Sequence, residues 1–259
     1  MPRPLHFALR ALYAFGMLRL RAHPQPTDAP AVRSGDPTAD RVLVVGNGPS
    51  HGWGVLTHQL ALTGRLAGAV ASRTDRPCDA DLVGAESMNV RSALAWVGDR
   101  DLRLIDALVL VIGANDALRL TSAETWQHEL AALLDGLAGR MRPRAVVTVA
   151  GIPPMSTLGA YDGPVARLTD RHRLRLNEIT RRIAEGRGAS YVDLPERTGQ
   201  LHGSAAMYHE FAVRIADDLA ARLVAARPVA AIRPPQRERI WQWSGTPAVV
   251  ELARTGGDA

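Results

Sequence analysis

The run Arg41-Val42-Leu43-Val44-Val45-Gly46 leads directly into Asn47-Gly48-Pro49-Ser50-His51-Gly52-Trp53-Gly54. Its unbroken apolar character is that of a parallel strand buried on both faces, and the glycine-rich turn after it lets such a strand hand over to a helix. Further runs of the same kind recur downstream at intervals that leave room for helices. Ala80–Val83 reads as a short strand, and Ala107–Ile112 (ALVLVI) as the strongest in the chain. Ala145–Ile152 (AVVTVAGI) and Ser190–Leu194 complete a set of five. Between them the spacing predicts helices over Val55–Arg73, Val90–Val97, a segment running to about Met141, and Asp170–Gly186. The third of these is entered through a capping-box pair, Thr121 and Glu124. A last helix covers Ser204–Ala226.

Strands alternating with helices predict one α/β domain, a three-layer α/β/α sandwich on a flavodoxin-like, doubly wound, five-stranded parallel sheet. A length of 259 residues suits one such domain over about 41–226. Upstream, Leu5–Leu20 is apolar but interrupted by Arg10, too short and too charged for a membrane span, and no small-x-small cleavage site precedes Arg19-Leu20-Arg21. Residues 1–22 are therefore expected to form an amphipathic helix with Arg3, Arg10 and Arg21 on one stripe. It would be docked on its own domain or a partner, or would lie on a membrane surface through residues 3–21. Pro24, Pro26, Pro30 and Pro37 make 23–40 an extended linker, and 227–259 a Pro-rich tail. The protein is expected to be cytoplasmic, and possible membrane contact would be peripheral.

Charge and composition remove several function classes. Every basic side chain is arginine, 31 in all, which accounts for a pI near 10.2 at a net charge of only +5. The 26 acidic residues are interspersed with the arginines and no basic run or stacking motif stands out, so no nucleic acid is expected as partner. Cys78 is the only cysteine, and the eight histidines show no ligand spacing such as HExxH, so neither a metal nor another cofactor is expected.

In doubly wound sheets ligands bind beyond the carboxyl ends of the strands. Four polar loops fall there: Gly46–Gly54, Ser87-Met88-Asn89, Gly113-Ala114-Asn115-Asp116 and Gly199-Gln200-Leu201-His202-Gly203-Ser204. A histidine and a strand-end asparagine on one rim suit an acyl or other carbonyl substrate.

The spacing of Gly46, Gly52 and Gly54 is similar to the first block of the SGNH (GDSL) hydrolases, GDSxxxGxG. Gly113-Ala114-Asn115-Asp116 reproduces their GxND block, and Leu201-His202-Gly203-Ser204 with Tyr208 resembles their DGxHPSxxGY block. The resemblance spans about residues 41–226. It implies the SGNH hydrolase fold and an esterase or lipase-like activity on a small acyl-ester or acylated ligand. Carried over residue by residue, the nucleophilic serine falls on Gly48 and the aspartate before it on Asn47. The oxyanion glycine falls on Ser87, and the triad aspartate on Gly199. Asn115, beside Gly113, keeps the oxyanion position and His202 that of the general base.

Glycine cannot form an acyl-enzyme, and a histidine without its carboxylate is neither oriented nor stabilised as imidazolium. Two outcomes are therefore expected. One is an acyl-ester hydrolase with weak activity, or activity relocated to Ser50 or Ser87. The other is a pseudoenzyme that binds an acyl, glycan or lipid-like ligand, or a partner protein, through Asn47, Gly48, Ser87 and Gly113. The plainer alternatives are that Ser50 belongs to the start of a helix, that His51 is a surface histidine, and that Asn115 ties one loop to another strand. A third reading places the function in the N-terminal helix or the tail.

Overall fold

The computed structural model describes residues 14–155, 163–196 and 204–227. Six strands form the sheet: β1 (Ala31–Val32), β2 (Asp40–Gly46), β3 (Cys78–Gly84), β4 (Ala107–Val111), β5 (Val146–Ala150) and β6 (Ser190–Val192). Their order is β1-β3-β2-β4-β5-β6. The five strands from β2 onward are parallel, as the apolar runs predict, and β1 pairs antiparallel with β3 through Ala31↔Asp81 and Val32↔Ala80. The parallel set has the doubly wound arrangement in which the strand order reverses between β2 and β4.

Side-chain alternation along each strand divides the core in two. Val42, Val44, Val109 and Val111 face a cluster with α2 (Leu62–Thr74) and α7 (Ala205–Ala226). Leu43, Val45, Leu108 and Leu110 face the other side. That layer holds a helix over 14–21 (α1), α3 (Ala93–Val97), α4 (Ala114–Leu118), α5 (Ala123–Ala138) and α6 (Gly163–Glu185). Two helical layers on a continuous apolar sheet give the three-layer sandwich.

Several boundaries differ from the expectation for local reasons. The helix predicted from Val55 begins at Leu62, because Gly52 and Gly54 hold φ of 75° and 90° and the chain then spends a separate turn over 57–61. In that turn Leu60 and Ala61 N–H donate to the Thr57 carbonyl. Helix α5 is capped by Ser122, whose hydroxyl accepts from Thr125 N–H at 3.1 Å, and not by Thr121. The Thr121 hydroxyl turns instead to the Asp116 carboxylate.

Upstream, the helix takes one of the arrangements expected for it, and the linker is where the structure differs. Met17 and Leu20 of α1 are buried in the same cluster as Trp53, Met88 and Ala114, so this helix packs on its own domain. Residues 24–40 do not hang free as a linker. The Pro24 carbonyl accepts from Gly54 N–H at 2.7 Å, Asp28 accepts from His58 N–H at 2.9 Å, and the Pro30 carbonyl accepts from Leu82 N–H at 2.8 Å. Prolines keep this stretch extended, and an extended stretch beside the open edge of β3 gains backbone hydrogen bonds that a free linker forgoes. Among the described residues no helix is long and apolar enough to cross a membrane.

Candidate active site

At the carboxyl ends of β2 and β4 the backbones meet, with Asn47 N–H donating to the Val111 carbonyl at 2.9 Å. Gly48 follows at φ +58°, opening a short 3-10 turn, Gly48–His51. A Cβ at this position would lie 3.2 Å from the Ala114 Cβ, and the left-handed conformation disfavours any side chain there. Gly113, at φ +113°, is more tightly enclosed, since a Cβ would sit 2.6 Å from the Ile152 Cδ1.

Two asparagines flank this junction, and both spend their amides on one loop. Asn47 Nδ2 donates to the Met88 carbonyl at 2.5 Å. Asn115 Nδ2 donates to the Glu86 carbonyl at 2.6 Å and to the Met88 carbonyl at 2.7 Å. Both side chains are buried. An oxyanion hole needs an N–H aimed at an empty position, and both protons of the Asn115 amide already have acceptors. The residue clamps the loop between β3 and α3 to the end of β4.

Asp116 completes the clamp. Its carboxylate accepts from Val90 N–H at 3.2 Å and from the Thr121 hydroxyl at 3.3 Å. Burial pushes its carboxyl up to about 6, and the hydrogen bonds only partly oppose this. Because the folded value lies above the unfolded one, the group favours folding fully below about pH 3.8 and loses that contribution as pH rises through about 6. The expected consequence is a wild-type stability that exceeds the Asp116→Asn curve by about 2 kcal/mol more at pH 4 than at pH 7. Urea unfolding of both proteins across that range measures the difference, and parallel curves would remove the assignment.

The candidate hydroxyls differ in exposure. Ser50 is fully buried, and its hydroxyl donates to the Asn47 carbonyl at 3.2 Å, closing the turn. Ser87 is exposed at the tip of the loop between β3 and α3. His51 is not a plain surface histidine. Its Nε2 is buried without a partner, its ring centroid lies 5.3 Å from that of Trp53, and burial pushes its imidazole below the usual range. Hydrogen bonding to the Ala85 backbone opposes that shift. Asn47 Oδ1 and Trp53 Nε1 are likewise buried and unpartnered. The structure thus brings Asn47, Gly48, Ser50, Ser87, Gly113 and Asn115 to one rim. His202 and Gly199 lie outside the described residues. Among the described residues no group of three or more His, Cys, Asp or Glu could hold a metal.

The model of the GDSL-like lipase/acylhydrolase family matches residues 35–233. The chain belongs to that family. Solved structures with the same fold include a lipase/acylhydrolase from Enterococcus faecalis, at TM-score 0.56 and 14% identity, covering 71% of this chain and 96% of the other. A lipase from a goat rumen metagenome matches at TM-score 0.52 and 12% identity over 73% and 97% of the two chains. Identities this low carry the fold alone. No curated protein sequence matches the chain. This GDSL-family member keeps one further link between its first and last blocks. Tyr208 is buried in α7, and its hydroxyl donates to the Trp53 carbonyl at 2.8 Å.

Sequence reasoning misses the acceptors that engage the asparagines, because the carbonyls of Glu86 and Met88 carry no side-chain signature. Asp116 had a signal, its place in the GxND block, but its partners at Val90 and Thr121 appear only once the loops meet.

Proposed function

We propose that this GDSL-family protein binds a small acylated or acyl-ester ligand at the rim of β2 and β4 without passing through an acyl-serine intermediate. The observation that carries the reading is the double commitment of Asn47 and Asn115 to the Met88 carbonyl, which leaves position 48 with neither a hydroxyl nor a side-chain oxyanion donor. Ser50 supports it as well, since a hydroxyl that closes a buried turn is not placed to attack a substrate. The inherited rim keeps its shape, and shape with a few fixed polar groups is what ligand binding requires.

The test is a fluorophosphonate probe combined with a short-chain nitrophenyl ester. No covalent labelling is expected, and ester turnover should lie about a thousandfold or more below that of a serine-bearing family member. Labelling that disappears with Ser50→Ala or Ser87→Ala would overturn the reading and identify a relocated nucleophile.

A further inference from the structure

Eight large apolar side chains stand exposed among the described residues, and four of them come from α1 and from the turn before α2. Phe15 (57%) and Leu18 (65%) lie on α1, while Leu56 (67%) and Leu60 (38%) lie on the turn that precedes α2. The bonds from Gly54 N–H to the Pro24 carbonyl and from His58 N–H to Asp28 fasten the chain leaving α1 to that turn. Met17 and Leu20 hold the inner side of α1 to the core, so Phe15 and Leu18 are turned away from the domain.

The sequence here is one-sided in charge, although Arg21 pairs with Glu86 at 2.7 Å. Residues 1–27 contain Arg3, Arg10, Arg19 and Arg21 but no aspartate or glutamate. Arg19 stacks over the Phe15 ring, 5.7 Å from its centroid, which places a cation directly beside the exposed apolar pair.

We propose that the outer face of α1 docks on an anionic lipid bilayer, with Phe15 and Leu18 entering the headgroup boundary and Arg19 beside them meeting lipid phosphate. Apolar side chains with an arginine beside them fit that surface, which offers hydrocarbon and negative charge together. A second copy of the chain fits less well, because a symmetric contact would set one arginine-rich segment against another. The inference is independent of what the β2–β4 rim binds.

Co-sedimentation of the full chain with vesicles tests it. Binding is expected on phosphatidylcholine mixed with phosphatidylglycerol, weaker on phosphatidylcholine alone, and reduced by added salt. Phe15→Ser with Leu18→Ser should weaken binding to the mixed vesicles about tenfold or more, and Arg19→Ala about fivefold. Circular dichroism and melting temperature should stay unchanged in the double variant, since both side chains are exposed. Three results would overturn the proposal. They are no binding to the mixed vesicles, equal binding by the double variant, or a lipid-free dimer that the same two substitutions dissolve.

Discussion

Replacing Asn115 with alanine should lower the unfolding free energy by about 3 kcal/mol while changing ester turnover by less than about twofold. The two halves of this expectation have one cause. The Asn115 amide donates to the part-buried Glu86 carbonyl and to the buried Met88 carbonyl; alanine strips Glu86 of this donor, while Met88 keeps the one from Asn47. A buried acceptor left unsatisfied costs about 1–3 kcal/mol. The loop that carries Ser87 should loosen at the same time, visible as faster amide exchange over 84–90. Asn47→Ala should cost less, about 1 kcal/mol, because it removes one hydrogen bond together with an oxygen that has no partner. If Asn115 served an oxyanion, the pattern would invert. Turnover would then fall about a hundredfold or more, with little change in stability. Urea unfolding and nitrophenyl ester kinetics on the same two variants decide between a clamp and a catalytic donor.

The parallel sheet was legible because continuous apolar runs such as Leu43–Val45 and Ala107–Val111 have few other uses in a chain of this composition. The strand β1 was not. Ala31 and Val32 sit among prolines, and their pairing depends on the open edge of β3, which exists only after β3 has joined the sheet. The N-terminal helix shows the same limit. Its arginine stripe can be read from spacing, but the burial of Met17 and Leu20 depends on Trp53 and Met88 arriving from elsewhere. At the rim, the placement of Gly48, Ser87 and Asn115 followed from strand ends alone. What Asn115 bonds to did not, because an amide reads identically in sequence whether it points to an empty position or to a neighbouring carbonyl. The glycine at 48 was legible as a lost hydroxyl, whereas its positive φ emerged only from the turn.

Gly48→Ser is expected to destabilise the fold by about 2 kcal/mol and still not generate a working esterase. The stability loss has two sources. The backbone at 48 has φ +58°, a conformation that costs a residue with a Cβ about 1–2 kcal/mol. The new Cβ would also stand 3.2 Å from the Ala114 Cβ, so that neighbour must give way. Gly48→Ala meets both penalties without adding a hydroxyl, and the serine variant should match it in urea unfolding. The catalytic shortfall has a separate origin. A serine, histidine and aspartate acting as a unit are worth about a millionfold in turnover, and the loss of one member forfeits most of that gain. Here a hydroxyl alone would find the Asn115 amide committed to the Glu86 and Met88 carbonyls. By the family resemblance it would also find glycine at 199, where a carboxylate should orient His202. Turnover of Gly48→Ser is therefore expected to rise less than about tenfold over the alanine control, with slow fluorophosphonate labelling at best. A rise of about a thousandfold would show that the amide clamp releases Asn115 when substrate arrives, and the clamp would then no longer support the binding reading.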